Sequence, residues 1–97
     1  MTSEERYIPI PGDVLIAKDD DRTFYPIDPV EHALATLRSF RLDAGQPLLV
    51  VSTRTWSMFG DCHELVLHLV KLEEDPPREV FYQDNEYGMA RFFDLLK

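Results

Sequence analysis

The run "PLLVVSTRT", residues 47–55, constrains the fold of this chain more than any other segment. It begins with uninterrupted apolar residues and continues into a polar half. Apolar runs of this length are typical of strands that are buried on both faces, and a polar continuation indicates that one end reaches the surface. The segment therefore predicts a central strand of a sheet.

Two later segments predict strands that continue this sheet. In "HELVLHLVKL", residues 63–72, leucines recur at every second position, at Leu65, Leu67 and Leu69. This spacing is typical of a half-buried strand. The segment "PPREVFYQD" predicts a turn followed by a strand over residues 79–83. Together the three segments predict an antiparallel meander.

The N-terminal part of the chain predicts a β-hairpin. Residues 13–17 and 23–27 are short apolar runs, and the polar cluster "KDDDR" separates them. Such a cluster between two apolar runs is typical of a hairpin tip. Its three aspartates, residues 19–21, lack the alternating ligands and the glycine of a calcium loop, so we expect them to be solvated.

Two segments have the features of helices. In "DPVEHALATLRSF", Asp28 is placed to cap a helix and Pro29 to occupy its first position. Apolar residues then recur at the spacing of one helical face, at Val30, Ala33, Leu34, Leu37 and Phe40. Near the C-terminus the same spacing joins Met89, Phe92, Phe93 and Leu96, with Asp84 or Asn85 as the cap.

These elements predict an α+β fold in a single domain, residues 1–97. It is a two-layer sandwich of an N-terminal β-hairpin, a helix, a three-stranded antiparallel meander and a C-terminal helix, with both helices on one side of the sheet. The alternative is a helix over residues 61–75, because Asp61 followed by Glu64 resembles a capping box. That alternative would give an α/β fold.

The charge of the chain restricts its partners. Eighteen acidic and ten basic residues give a net charge of −8. Binding to nucleic acid needs clustered lysines and arginines, and here the basic residues are scattered along the chain, so we expect no direct contact with nucleic acid. Anionic membranes are disfavoured for the same reason. The charge instead favours a protein partner with a basic surface.

The cytoplasm is the expected compartment. The segment "MTSEERYIPIPG" has neither a basic start nor an apolar signal core, and no apolar run is long enough to cross a bilayer. The single cysteine cannot form a disulfide within the chain, which fits a reducing environment.

The stretch "WSMFGDCHE", residues 56–64, raises the question of a reactive thiol. Cys62 would act as a nucleophile if a nearby imidazolium or a helix N-terminus lowered its pKa, and His63 is its neighbour in sequence. On a strand the two side chains point to opposite faces, and the thiol then belongs to the flank of a hairpin loop. His63 and His68 are not spaced as a metal pair, and phosphate-binding glycine motifs are absent from the sequence, so we expect no metal and no cofactor.

Aromatic residues interleaved with carboxylates are the remaining candidates for function, because this mixture suits docking on a basic surface. The candidate contact residues are Trp56, Phe59, Asp61, Glu64, Glu79, Tyr82, Asp84, Glu86 and Tyr87. We therefore expect a small non-catalytic protein-binding module of the inhibitor, immunity or anti-defence type. The alternatives are a thiol-dependent enzyme or sensor built on Cys62 and His63, and a structural subunit that forms homo-oligomers.

Overall fold

The computed structural model describes residues 7–31, 38–57 and 63–96. In chain order, its elements are β1 (Val14–Ala17), β2 (Thr23–Phe24), β3 (Phe40–Arg41), β4 (Pro47–Ser57), β5 (His63–Lys71), β6 (Arg78–Asn85), α1 (Glu86–Phe92) and β7 (Phe93–Leu96). Across the described ranges, no helix is long and apolar enough to cross a bilayer.

The fold is mostly β. Strands make up 52% of the described residues, and the one short helix makes up 9%. Five strands form an antiparallel sheet in the order β6-β5-β4-β1-β7, while β2 and β3 form a separate pair. The predicted α+β sandwich with two helices on one side of the sheet is therefore wrong.

The predicted meander of three antiparallel strands is confirmed as β4, β5 and β6. In β5 the alternating residues Leu65, Leu67 and Leu69 are fully buried, as their spacing predicts. The helical alternative for residues 61–75 is wrong over its described part, because residues 63–71 are extended and hydrogen-bonded on both sides.

The predicted N-terminal hairpin is wrong in its pairing. β1 lies between β4 and β7, where Val14 faces Leu49 on one side and Leu96 on the other. β2 pairs instead with β3, and Tyr25 just beyond it forms a bridge to Phe81 of β6. β1 therefore takes its partners from distant parts of the chain rather than from the next apolar run.

The structure describes only the ends of the first predicted helix, and it shortens the second. Residues 32–37 of the first lie outside the described residues; before them, Pro29–Glu31 form a turn, and after them Phe40 belongs to a strand. Near the C-terminus, Asn85 caps α1 by accepting the N–H of Gly88 at 2.8 Å, as predicted. The helix ends before Phe93, which is extended and pairs with Ala17 of β1, so the predicted helical face through Leu96 is wrong.

One face of the sheet carries the hydrophobic core, and we call it the core face. Its buried residues include Leu15, Leu48, Leu67, Val80 and Tyr82, which pack with Phe24, Leu42, Met89 and Phe93 from the elements above the sheet. Residues at alternate positions point to the opposite face. We call that the open face; it carries Val14, Leu49, Val66 and Val70.

A β-bulge changes which side of β4 faces the core. The register shifts between Val50 and Ser52, so that Val50 faces Leu69 on the core face while Ser52 faces His68 on the open face. The polar half of β4 thereby contributes side chains to the open face.

Candidate functional site

A cleft of about 310 Å³ lies on the open face of the sheet. Its walls come from three neighbouring strands and from the turn that follows β2. The lining residues are Asp28, Glu31, Ser52, Arg54, Val66, His68 and Phe81. Concave sites that combine an apolar floor with a few polar groups are the usual places where proteins bind ligands or partner side chains.

The strand register brings these residues together. Arg54 of β4 faces Val66 of β5, and Ser52 faces His68, so the four residues form two adjacent cross-strand pairs. His68 in turn faces Phe81 of β6. Val66 is buried and forms the floor of the cleft, while the polar side chains form its walls.

Asp28 fixes the turn at one side of the cleft. One carboxylate oxygen accepts the N–H of Val30 at 2.9 Å, and the other accepts a hydrogen bond from the guanidinium of Arg54. Burial alone would raise the pKa of the Asp28 carboxyl, but the hydrogen bonds from Val30 and Arg54 outweigh it, so the pKa lies below its ordinary value. Asp28 is therefore ionised in the folded protein at neutral pH.

A stacked ring pair forms the opposite wall. The rings of His68 and Phe81 are 4.6 Å apart between centroids and nearly parallel, at 10°. Nε2 of His68 lies 3.1 Å from a carboxylate oxygen of Glu79, whose side chain is largely exposed. The imidazole is thus held by an aromatic face and by a carboxylate.

The charges in and beside the cleft favour a cation. The carboxylates of Asp28 and Glu31 line the cleft, and that of Glu79 contacts the imidazole of His68 at its wall; the guanidinium of Arg54, which also lines the cleft, is paired with Asp28. Glu31 is exposed and forms no ion pair within the described part of the chain. An arginine or lysine side chain from a partner would therefore find, at this site, a carboxylate that no cation of residues 7–31, 38–57 or 63–96 compensates.

The described side chains do not offer a metal centre. Over residues 7–31, 38–57 and 63–96, histidines and carboxylates do not gather in a group of three or more that could hold a metal ion.

The structure places some of the sequence-predicted contact residues at the surface. Trp56 faces Glu64 across β4 and β5, and the tryptophan is 38% exposed. Glu79 is exposed beside the cleft. Tyr87 is half-buried in α1, and it is not without an interaction partner.

Other predicted contact residues are turned inward. Tyr82 is 3% exposed and belongs to the core, where its hydroxyl donates to a carboxylate oxygen of Asp84 at 2.6 Å. The second oxygen of Asp84 accepts the N–H of Asn85 at 2.8 Å. Glu86 is also 3% exposed, with an oxygen 3.5 Å from Nδ1 of His63. Tyr82 and Glu86 do not present their side chains to an approaching partner.

Three predicted residues, Phe59, Asp61 and Cys62, lie outside the described residues. Sequence reasoning did not single out the cleft, because Asp28, Arg54 and His68 come from separate parts of the chain. The available signal was the polar half of the central strand, where Ser52 and Arg54 occupy alternate positions.

No family model, curated protein or solved structure matches this chain.

Proposed function

We propose that this protein is a small non-catalytic module that binds a basic surface of a partner protein, as an inhibitor or antidote does. The site that fits this role is the acidic cleft on the open face. An arginine or lysine of the partner would enter it, and the surrounding negative field would speed the encounter.

The observation that supports the proposal is the pairing of the protein's own basic residues. Each of six lysines and arginines lies within 4.0 Å of a carboxylate; they are Lys18, Arg22, Arg41, Arg54, Lys71 and Arg78. Exposed carboxylates without such a partner in the described ranges include Glu31, Asp43, Glu73 and Asp75. Of the eight lysines and arginines in the described ranges, these six already face a carboxylate, whereas Arg38 and Arg91 form no ion pair there. A partner therefore meets mostly paired cations, together with exposed carboxylates that have no described counter-ion.

The overall charge of −8 acts in the same direction. Exposed ion pairs contribute little to stability, so the acidic residues are not explained by a network that stabilises the fold. We interpret the excess of acidic over basic residues as the source of a long-range negative field. Such a field is screened over about 8 Å at physiological salt, which makes binding salt-dependent. We place this activity in the cytoplasm, where a chain with a single cysteine remains reduced.

Capture from a lysate of the source cells tests this function. The tagged protein is incubated with lysate at low and at high salt, the retained proteins are identified, and the affinity of a purified candidate is then measured over a salt series. We expect a basic protein that is retained at low salt and released as salt rises. Retention of no basic protein, or an affinity that does not change with salt, would contradict the proposal.

A second candidate function is a thiol-dependent enzyme or sensor. The observation that favours it is the pair formed by His63 and the buried carboxylate of Glu86, because a base oriented by a third group is what a nucleophilic thiol needs. Its test is a thiolate titration of Cys62. A pKa near that of an ordinary cysteine, about 8.5, would count against this candidate.

A further inference from the structure

The strand register aligns one residue from each of the five strands in a row across the open face. Val14 faces Leu96 on one side and Leu49 on the other. Leu49 faces Val70, and Val70 faces Glu79. The row therefore consists of four apolar residues followed by a carboxylate. We call the apolar part, Leu96, Val14, Leu49 and Val70, the open-face strip.

The strip is partly exposed to solvent. Leu96 is 51% exposed, and Val14, Leu49 and Val70 are half-buried. Val51, at the bulge, is 41% exposed. A contiguous, solvent-reached row of apolar side chains is one kind of surface on which proteins bind partners.

The strip continues into the cleft. Val70 and His68 are two residues apart on β5 and thus point to the same face. Glu79 ends the row and also contacts His68. An apolar surface and an acidic site therefore adjoin without an intervening element.

We propose that the open-face strip and the cleft form one docking surface for a partner segment with several apolar side chains and an arginine or lysine at one end. The apolar side chains cover the strip, and the cation reaches the carboxylates of Glu31 and Glu79. This inference rests on the proposed function, to which it adds the binding face and the chemistry of the partner segment.

Charge complementarity selects this occupant over a second copy of the chain. Two copies that met strip to strip would bring the carboxylates of two chains of charge −8 together, which is unfavourable. An anionic segment is disfavoured because the guanidinium of Arg54 is paired with Asp28. A basic amphipathic segment can cover the open-face strip with its apolar side chains and pair its cation with the carboxylates at the cleft.

The dimensions suit a short segment. Four spacings between neighbouring strands span about 19 Å. A helix of about 13 residues has this length. A suitable probe is a synthetic amphipathic peptide of leucine and lysine with a terminal arginine, and its control is a scrambled peptide of the same composition and charge.

The first test compares two neighbouring leucines that point to opposite faces. Leu96 belongs to the strip, whereas Leu95 faces Leu15 on the core face and is 39% exposed. Fluorescence anisotropy with the labelled peptide measures the affinity of L96Q and L95Q. We expect L96Q to weaken binding roughly tenfold, because it removes a leucine contact, and L95Q to leave the affinity nearly unchanged. Equal effects would overturn the inference.

The second test compares two pairs of carboxylates with the same change of charge. E31Q/E79Q removes the two carboxylates at the cleft, and E73Q/D75N removes two that lie in the turn after β5. We expect only the first pair to weaken binding of the amphipathic peptide beyond the loss caused by net charge. Equal weakening by both pairs would show that the field of the whole protein, rather than this surface, determines binding, and would overturn the inference.

These outcomes separate the docking surface from the function. If a captured basic partner binds in a salt-dependent way but L96Q and E31Q/E79Q bind it as the wild type does, the docking surface is wrong and the function stands. If no cationic protein binds, both fail. Light scattering identifies a second copy as the occupant: a mass that rises with concentration and falls in L96Q would overturn the partner assignment. Thermal unfolding of each variant confirms that it is folded.

Discussion

His68 of β5 stacks on Phe81 of β6 with ring centroids 4.6 Å apart. This pair lies where the apolar strip meets the acidic cleft, because Val70 is the next residue of β5 on the open face and Glu79 contacts the imidazole. Aromatic pairs of this kind contribute about 0.5 to 1.5 kcal/mol beyond their buried area. The stack thus gives a fixed wall to a site whose other wall is a turn.

The stability of the turn after β2 is predicted to depend on Asp28, because its carboxylate joins the turn to Arg54. We expect D28N to lower the free energy of unfolding at neutral pH by about 1 kcal/mol, because it removes a charged hydrogen-bond partner. D28A should cost more, because it also removes the acceptor for the N–H of Val30. Urea unfolding of both variants at neutral pH measures the difference, and equal stabilities of D28A and wild type would contradict it.

The pH dependence of the same residue has a definite sign. The pKa of Asp28 is lower in the folded protein than in the unfolded chain, so the folded state binds the proton less tightly. The stability that it contributes is present above the unfolded pKa of about 3.9 and is lost as the pH falls towards the folded pKa. The difference between wild type and D28N should therefore shrink below about pH 4; a difference that grew on acidification would contradict this.

A substitution at Gly88 tests how closely the Asp84 side chain packs against α1. A Cβ atom at this position would overlap the Asp84 carboxylate. We expect G88A to lower the free energy of unfolding by about 1 to 3 kcal/mol, as overpacked sites do. In a D84A background the same substitution should cost less, because the carboxylate is absent. A double-mutant cycle measures this coupling, and strictly additive effects would contradict the packing.

Substitution of Tyr82 tests whether this residue serves the core or the contact surface. Its hydroxyl is buried and donates to Asp84. We expect Y82F to lower the free energy of unfolding by about 1 kcal/mol, through loss of the hydrogen bond, and to leave partner affinity unchanged. The matched variant W56F alters an exposed aromatic residue instead. Weaker partner binding by folded Y82F would show that Tyr82 contacts the partner and would contradict this prediction.

The hydroxyls of half-buried Tyr7 and buried Tyr82 also predict an alkaline transition. Burial raises the pKa of Tyr7 and of Tyr82, and the hydrogen bonds and negative charges of Asp13 and Asp84 raise each further. A raised folded pKa means that stability is present below the unfolded value of about 10 and is lost as the pH rises above it. Absorbance titration should show two tyrosines ionising late, one lost in Y7F and the other in Y82F. Unchanged curves in both variants would contradict this.

Local patterns in the sequence predicted the elements whose cause is local. The alternation of Leu65, Leu67 and Leu69 predicted β5, and the side chain of Asn85 predicted the start of α1. Both depend on residues that are close in the chain. The spacing from Met89 to Leu96 predicted a longer helix, but residues 93–96 instead pair with β1. That pairing provides hydrogen-bond partners for one edge of β1, which would otherwise be unpaired. A pattern within residues 89–96 does not reveal this long-range pairing.

The site was less predictable than the fold. Asp28, Arg54 and His68 meet because a bulge in β4 turns Ser52 to the open face and because the turn after β2 crosses to the same side. Neither event has a signature in residue spacing alone. Tyr82 and Glu86 have the composition expected of contact residues, yet the register of β6 and the first turn of α1 bury them. That the chain binds a basic partner remains a prediction.

Methyl NMR on the intact protein can locate the peptide on the open-face strip residue by residue. The amphipathic leucine–lysine peptide is titrated into protein with labelled valine and leucine methyl groups, and the scrambled peptide is the control. We expect saturable shifts of the Val14, Leu49, Val70 and Leu96 methyls, with little change at the core residues Leu67 and Val80. The midpoint should move to higher peptide concentration as salt rises. Binding that shifts methyls elsewhere, or equal shifts with the scrambled peptide, would show that the open-face strip is not the docking surface.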